Sequence, residues 1–192
     1  MPLSAILNKV EDITKRPDAR SRALISINGL IQAICNNADY PEDLVETILD
    51  NPEPGSYLAT ISIDLPALPT RRKIEYVVVE GGKPLKSIKP RNALTSEGCA
   101  IQDAYYRVGN TLQINSSSPI TRIKFGYYQQ VGYLSEAGDH WLEGVAETML
   151  IMGTVAAVFR ATGDDASAVE YEGQYRIANQ HFRRMLADSE EV

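Results

Sequence analysis

The sequence predicts an α+β fold in which a helical bundle or hairpin body, residues 1–39 and 134–192, carries an inserted antiparallel β-sheet region, residues 40–133. Three observations predict it. Apolar residues recur at helical spacing at both ends of the chain, they alternate at period two through much of the middle, and Pro, Gly and Asn punctuate that middle. With 192 residues, 44% of them hydrophobic, the chain can bury a core of its own.

Leu3, Ile6, Leu7, Val10 and Ile13 form one stripe of a first helix that ends before Arg16, and Pro17 suits the first turn of the next. Leu24, Ile27, Ile31 and Ile34 mark that second helix, closed by the breakers of "CNNADYP". "DLVETIL" reads as a strand, as do "TISIDL" and "KIEYVVV", with "NPEPGS" and "LPALP" as loops. Gly81-Gly82 suggests a hairpin turn into "KPLKSI", and Gly109-Asn110 suggests a two-residue hairpin loop. Such a loop sets Arg107 opposite Leu112 and Tyr105 opposite Ile114, with Tyr105, Leu112 and Ile114 on one face. In the next strand Ile123, Phe125 and Tyr127 alternate with Arg122 and Lys124, so a half-buried sheet with one wet, basic face is expected. After Ser135 the helical period returns. Trp141, Val145, Met149, Met152, Ala156 and Phe159 line one long helix, "TGDD" turns the chain, and Tyr171, Tyr175, Ala178, Phe182 and Met185 form the seam of another. Trp141, Tyr171, Tyr175 and Phe182 are the expected core of this antiparallel pair, and Gly153, Ala156 and Ala157 permit close approach.

Charge and composition narrow the function. The net charge is −6, yet seven of the 19 basic residues fall between Arg71 and Arg91, against Glu75 and Glu80 alone. An acidic body with a basic insertion is a poor general DNA binder, because phosphate contacts need clustered positive charge. No apolar run reaches membrane-spanning length, and the first 16 residues carry acids and amides where a signal peptide needs an apolar core, so a soluble, unprocessed chain with no membrane partner is expected. Cys35 and Cys99 read as buried thiols in a reducing compartment.

The residues offer little chemistry. His140, between Asp139 and Glu143, reads as a surface residue beside a capping Asp139, and His181 sits on the last helix with arginines. Asp164 and Asp165 stand where a helix needs an N-terminal cap and dipole compensation. No phosphate-binding loop, nucleophile elbow or zinc helix motif occurs. A chain that is not an enzyme, with no catalytic residues, metal or cofactor, is therefore expected. The tyrosine-rich, basic sheet admits stacking on nucleic-acid bases, with Arg107, Arg122 and Lys124 meeting phosphates. Tyrosine and arginine equally anchor protein interfaces, and Tyr105 and Tyr127 fall on the core side. The favoured reading is a protein interface formed by Arg71, Arg72, Lys73, Arg107, Arg122 and Lys124, ahead of nucleic-acid binding and of hydrolysis.

After Thr70, the runs "RRKIEYVVVEGGKPLKSIKPR", "AYYRVGNTLQINSSSPITRIKFGYYQ" and "HWLEGVAETMLIMGTVAAVFRATGDDASAVEYEGQYRIANQHFRRML" resemble the head-to-tail adaptor, or connector, proteins of tailed bacteriophages. The resemblance lies in a strand before a Pro-Leu turn, a "YY-x-x-GN-x-L" hairpin, a "GYY" strand and a Trp-Leu helix leading through "GDD" into a tyrosine-bearing last helix. It implies a twelvefold ring of identical subunits in the virion neck, assembled in the host cytoplasm. The ring would dock beneath the portal, extend the DNA channel without binding duplex DNA tightly, and offer a platform to tail or nozzle proteins. It further implies that the carboxy-terminal tail, Asp188, Ser189, Glu190, Glu191 and Val192, docks on the portal. By its polarity, that tail is expected to lack order before it meets a partner.

Overall fold

The computed structural model describes residues 2–63, 71–93 and 101–190, with residues 71, 72 and 188–190 described by their backbone. The fold is mixed α+β. It divides into two compact units, Met1–Ala38 with Val131–Val192, and Asp39–Gln130. Cys99, Glu191 and Val192 lie outside the described residues.

In the helical unit, α1 (Leu3–Thr14) buries Leu3, Ile6, Leu7 and Val10. Pro17 opens a 3-10 turn, Pro17–Ala19, that feeds α2 (Arg20–Cys35), whose inner face is Ala23, Ile27, Ile31 and Cys35. Asn28 is also buried there. Its amide nitrogen donates to the Leu24 and Leu134 carbonyls, and its Oδ1 accepts the Leu134 N–H at 2.7 Å, which ties the loop after residue 130 to α2. Arg20 binds the same loop through Glu136 and α1 through Glu11.

The long helix expected after Ser135 is two helices, α3 (Leu142–Val145) and α4 (Glu147–Ala161), with Ala146 at φ −125° between them. Gly144, a poor helix former, precedes this kink. The hydrogen-bond ladder still passes through it, from the Ala146 N–H to the Leu142 carbonyl and from the Leu150 N–H to the Ala146 carbonyl. The buried face is also broader than the expected stripe. Met149, Leu150, Ile151, Val155, Ala156 and Val158 are buried and Val145 is exposed, because α4 packs against α1, α2 and α5 rather than against one partner. Helix α5 (Asp165–Glu190) begins with Asp164 as its cap, which accepts the Ser167 N–H at 3.1 Å and the Ser167 hydroxyl at 2.7 Å. The helix runs on through Asp188, Ser189 and Glu190, so this part of the tail is helical and not irregular. Helix-forming Met185, Leu186 and Ala187 carry it there, and Leu186 packs on the core.

The β unit holds seven strands: β1 (Leu44–Asp50), β2 (Ser56–Ser62), β3 (Arg71–Val79), β4 (Lys86–Ser87), β5 (Ala104–Val108), β6 (Thr111–Ile120) and β7 (Arg122–Gln129). They form a three-stranded sheet, β1-β7-β3, and a four-stranded sheet, β2-β6-β5-β4. Both sheets contribute to one core, with Val77, Ile123, Phe125 and Tyr127 from the first and Ile61, Tyr105, Leu112 and Ile114 from the second. The β5–β6 register pairs Tyr105 with Ile114 and Arg107 with Leu112 around Gly109-Asn110. At Gly81-Gly82 the chain turns, with the Gly82 N–H on the Val79 carbonyl, and returns antiparallel only briefly, with the Leu85 N–H on the Val77 carbonyl at 2.8 Å. After a single bridge between Val78 and Pro84 it crosses to the other sheet, where β4 pairs parallel with β5.

Candidate functional site

Of the six basic residues expected at an interface, Arg107 lies in a different sheet from Lys73, Arg122 and Lys124. Arg107 lies on the four-stranded sheet, sharing a pleat face with Tyr105, and its Nε donates to the Gly109 carbonyl at 2.7 Å. Arg122 and Lys124 lie on β7 and Lys73 on β3, in the other sheet. Arg71 and Arg72 open β3.

The face carrying Arg122 and Lys124 is wet, as expected, but it is not a field of positive charge. Arg122 meets Asp50 at 3.3 Å and Glu80 at 3.7 Å, Lys124 meets Glu46 at 2.8 Å, and Lys73 meets Asp39 at 2.7 Å and Glu75 at 3.0 Å. The hydrogen bond to Asp39, followed by that to Glu75, holds the Lys73 ammonium well above its ordinary pKa. Register explains the pairing. β1 lays Ile48 and Asp50 across from Lys124 and Arg122, so acids from both edge strands flank the bases of the central strand. Tyr76 crosses the same face, lying over Gly126 and reaching the Glu46 carboxylate with its hydroxyl. Each base is thus matched inside its own sheet, a pairing that the distant sequence positions of β1, β3 and β7 concealed.

Three of the β-unit tyrosines are likewise spent on packing. Tyr105, Tyr127 and Tyr128 are buried. Tyr127 stacks on Phe125 at 5.3 Å between ring centres, and Tyr128 lies beneath the Lys73 ammonium. Such rings offer no face to a base.

In the helical unit Trp141 is half-buried just ahead of α3, Tyr171 stacks on Phe159 at 5.6 Å, Tyr175 abuts α4 at Gly153, and Phe182 is buried. Met185, at the end of the expected seam, is exposed. A cleft of about 710 Å³ lies beside Met149, Met152, Ile177, Phe182 and Met185, with His181 on its wall.

His140 is not a free surface residue. It is half-buried, its Nδ1 accepts the Leu142 N–H at 3.3 Å, and its Nε2 lies 3.9 Å from the Cys35 sulfur. Asp139, expected as the cap, is exposed, and the imidazole takes that place. Cys35 is wholly buried, and the contact joins the last residue of α2 to the residue two before α3. Cys35 could be read from the sequence as the next step of the Ile27, Ile31 stripe, but nothing there signals that it meets a histidine 105 positions away. Glu143, one turn beyond His140, is fully buried, and burial pushes its carboxyl above the ordinary range, with Asp139 adding to the effect.

Among the described residues no helix is long and apolar enough to cross a membrane. No protein-family model matches the sequence, and no curated protein matches it.

Proposed function

We propose that this chain is a non-catalytic structural protein, a head-to-tail adaptor that assembles as a ring, twelvefold by the resemblance, beneath the portal of a tailed bacteriophage. Such a ring would sit in the virion neck, extend the DNA channel and carry tail or nozzle proteins. The observation that carries the reading is the chain order: both ends build one helical unit around an inserted β unit. A helical body gives a ring its wall, and an insertion gives it an independently folded surface for neighbours. The overall charge of −6 suits a conduit whose cargo must slide, since like charge repels duplex DNA. Neutralised cations and buried tyrosines on the three-stranded sheet lower the nucleic-acid alternative.

The test is light scattering of the purified chain with and without an assembled portal ring, at two salt concentrations. The expected result is a monomer alone and a closed ring on the portal, with negligible affinity for duplex DNA. Failure to dock on any portal ring, or tight salt-sensitive binding of duplex DNA, would overturn the reading.

A further inference from the structure

The later cations of the basic window differ from Lys73. Residues 83–91 read K-P-L-K-S-I-K-P-R, a repeat of three. Leu85 is buried and Ile88 half-buried, while Lys83, Lys86 and Lys89 are exposed one after another. Period three is the pitch of extended, polyproline-like backbone, and Lys89 has that conformation, with φ −77° and ψ 144°. The ribbon is held in place rather than loose. The Lys86 and Ile88 N–H groups donate to the Asp103 and Tyr105 carbonyls, both at 2.9 Å. At about 3.1 Å per residue, successive lysines stand about 9 Å apart.

Among the described residues, no carboxylate lies within ion-pair distance of Lys83, Lys86, Lys89 or Arg91, in contrast to the cations of the three-stranded sheet. Asp103, which feels the charge of Lys83, is held below the ordinary carboxylate range first by the N–H and hydroxyl of Ser117, which occupy its oxygens. Complementary charge is exposed in the helical unit. At the start of α5, Glu172 is taken by Arg160 and Asp164 by its capping bonds, but Asp165 and Glu170 are exposed with no cation in ion-pair distance among the described residues.

We infer that the Lys83–Arg91 ribbon of one copy takes the Asp165 and Glu170 end of α5 in a second copy. The two surfaces differ, so the contact is head-to-tail and repeats from copy to copy, as a ring requires. It rests on the ring reading above and names the surface that would join neighbours. Solvent-exposed pairs of this kind set encounter and register more than affinity and are screened by salt, which fits a chain that stays monomeric until a portal gathers it.

The experiment is carbodiimide coupling of amines to carboxylates in an equal mixture of light and nitrogen-15 chains, at low salt and the highest soluble concentration, and again on a portal ring. Peptide mapping should find interchain links from Lys83, Lys86 or Lys89 to Asp165 or Glu170, and high salt should abolish them. Reversing the ribbon (Lys83→Glu, Lys86→Glu, Lys89→Glu) should weaken docking of neighbours by about tenfold or more, and reversing Asp165→Lys with Glu170→Lys should do the same. Both reversals in one chain should restore it, an outcome that only a partner of the same sequence produces. All five positions are exposed, and circular dichroism checks that each variant folds. No interchain links under either condition, no rescue by the double reversal, or ribbon-dependent binding of duplex DNA each overturns the contact. A wild-type chain that docks on the portal without these links sinks the contact and spares the adaptor. Links with rescue but no portal docking do the reverse.

Discussion

Both units seat a tyrosine ring on a glycine, and the two seats are built differently. On β7, a Cβ added at Gly126 would lie 2.5, 2.7 and 3.0 Å from three atoms of the Tyr76 ring, and the Tyr76 hydroxyl is moored to Glu46. On α4, a Cβ at Gly153 would lie 2.8 Å from Leu30 Cδ1 and 2.9 Å from Tyr175 Cδ2. A flat ring fixed at both ends has no small motion that clears a methyl group. A leucine tip and the edge of a half-buried ring do. The glycine of the sheet is therefore an obligatory vacancy covered by an aromatic, whereas the glycine of the helix is clearance that lets α2 and α5 approach α4. The helix also loses backbone order to its glycine, so replacing it brings an offsetting gain.

The largest effect should come from ending the tolerance of the helical seam. Phe182, two turns beyond Tyr175, is buried, and Phe182→Asp should cost about 3–5 kcal/mol through an unpaired interior charge. Denaturant titration followed by helical circular dichroism measures it; an unchanged midpoint would show that α5 does not pack as described. Next is Gly126→Ala, expected to destabilise by about 1–3 kcal/mol through overpacking, with most of the loss recovered when Tyr76→Ala is added. A loss with no recovery would place the strain elsewhere than under the ring. Gly153→Ala should stay within about 1 kcal/mol of the parent, since helix propensity offsets the contact.

The smallest effect is a slope. Burial raises the Glu143 carboxyl in the folded chain, so between its unfolded and folded pKa values the native state holds more protons than the unfolded one. Stability from this group is therefore present below the ordinary carboxylate range and is lost as pH rises through the raised value. Replacing Glu143 with Gln should flatten that part of the pH profile of the melting temperature, and identical profiles for the two proteins would remove the assignment.

What the sequence told in advance follows the range of the interactions. Leu3, Ile6, Leu7 and Val10 declare α1 because helical burial repeats within one turn, and Gly109-Asn110 declares its register because a two-residue loop leaves no freedom. Tyr171, Tyr175 and Phe182 were legible for the same reason. The pairing of Arg122 with Asp50 and of Lys124 with Glu46 was not, since it depends on β1 lying beside β7 more than 70 residues later. Alternation along one strand predicted a basic face, and tertiary pairing cancelled it at Arg122 and Lys124, as it did at Lys73 of the basic window. The kink at Ala146 escaped because an apolar stripe reads the same across a bent helix as across a straight one.

The four-stranded sheet ends in unlike borders. On one side β4 has two residues, with Pro84 and Pro90 nearby and lysines along it, and such a border refuses a further strand. On the other, β2 is seven residues long, carries no charge, and exposes Tyr57 and Leu58. Fibril growth needs two accepting borders per molecule, so that each newcomer offers a fresh template. Here the described strands supply one. Two molecules that met at β2 would consume both of those borders and leave outward the side carrying the short, lysine-bearing β4, so misassembly through this sheet favours a pair over a fibril.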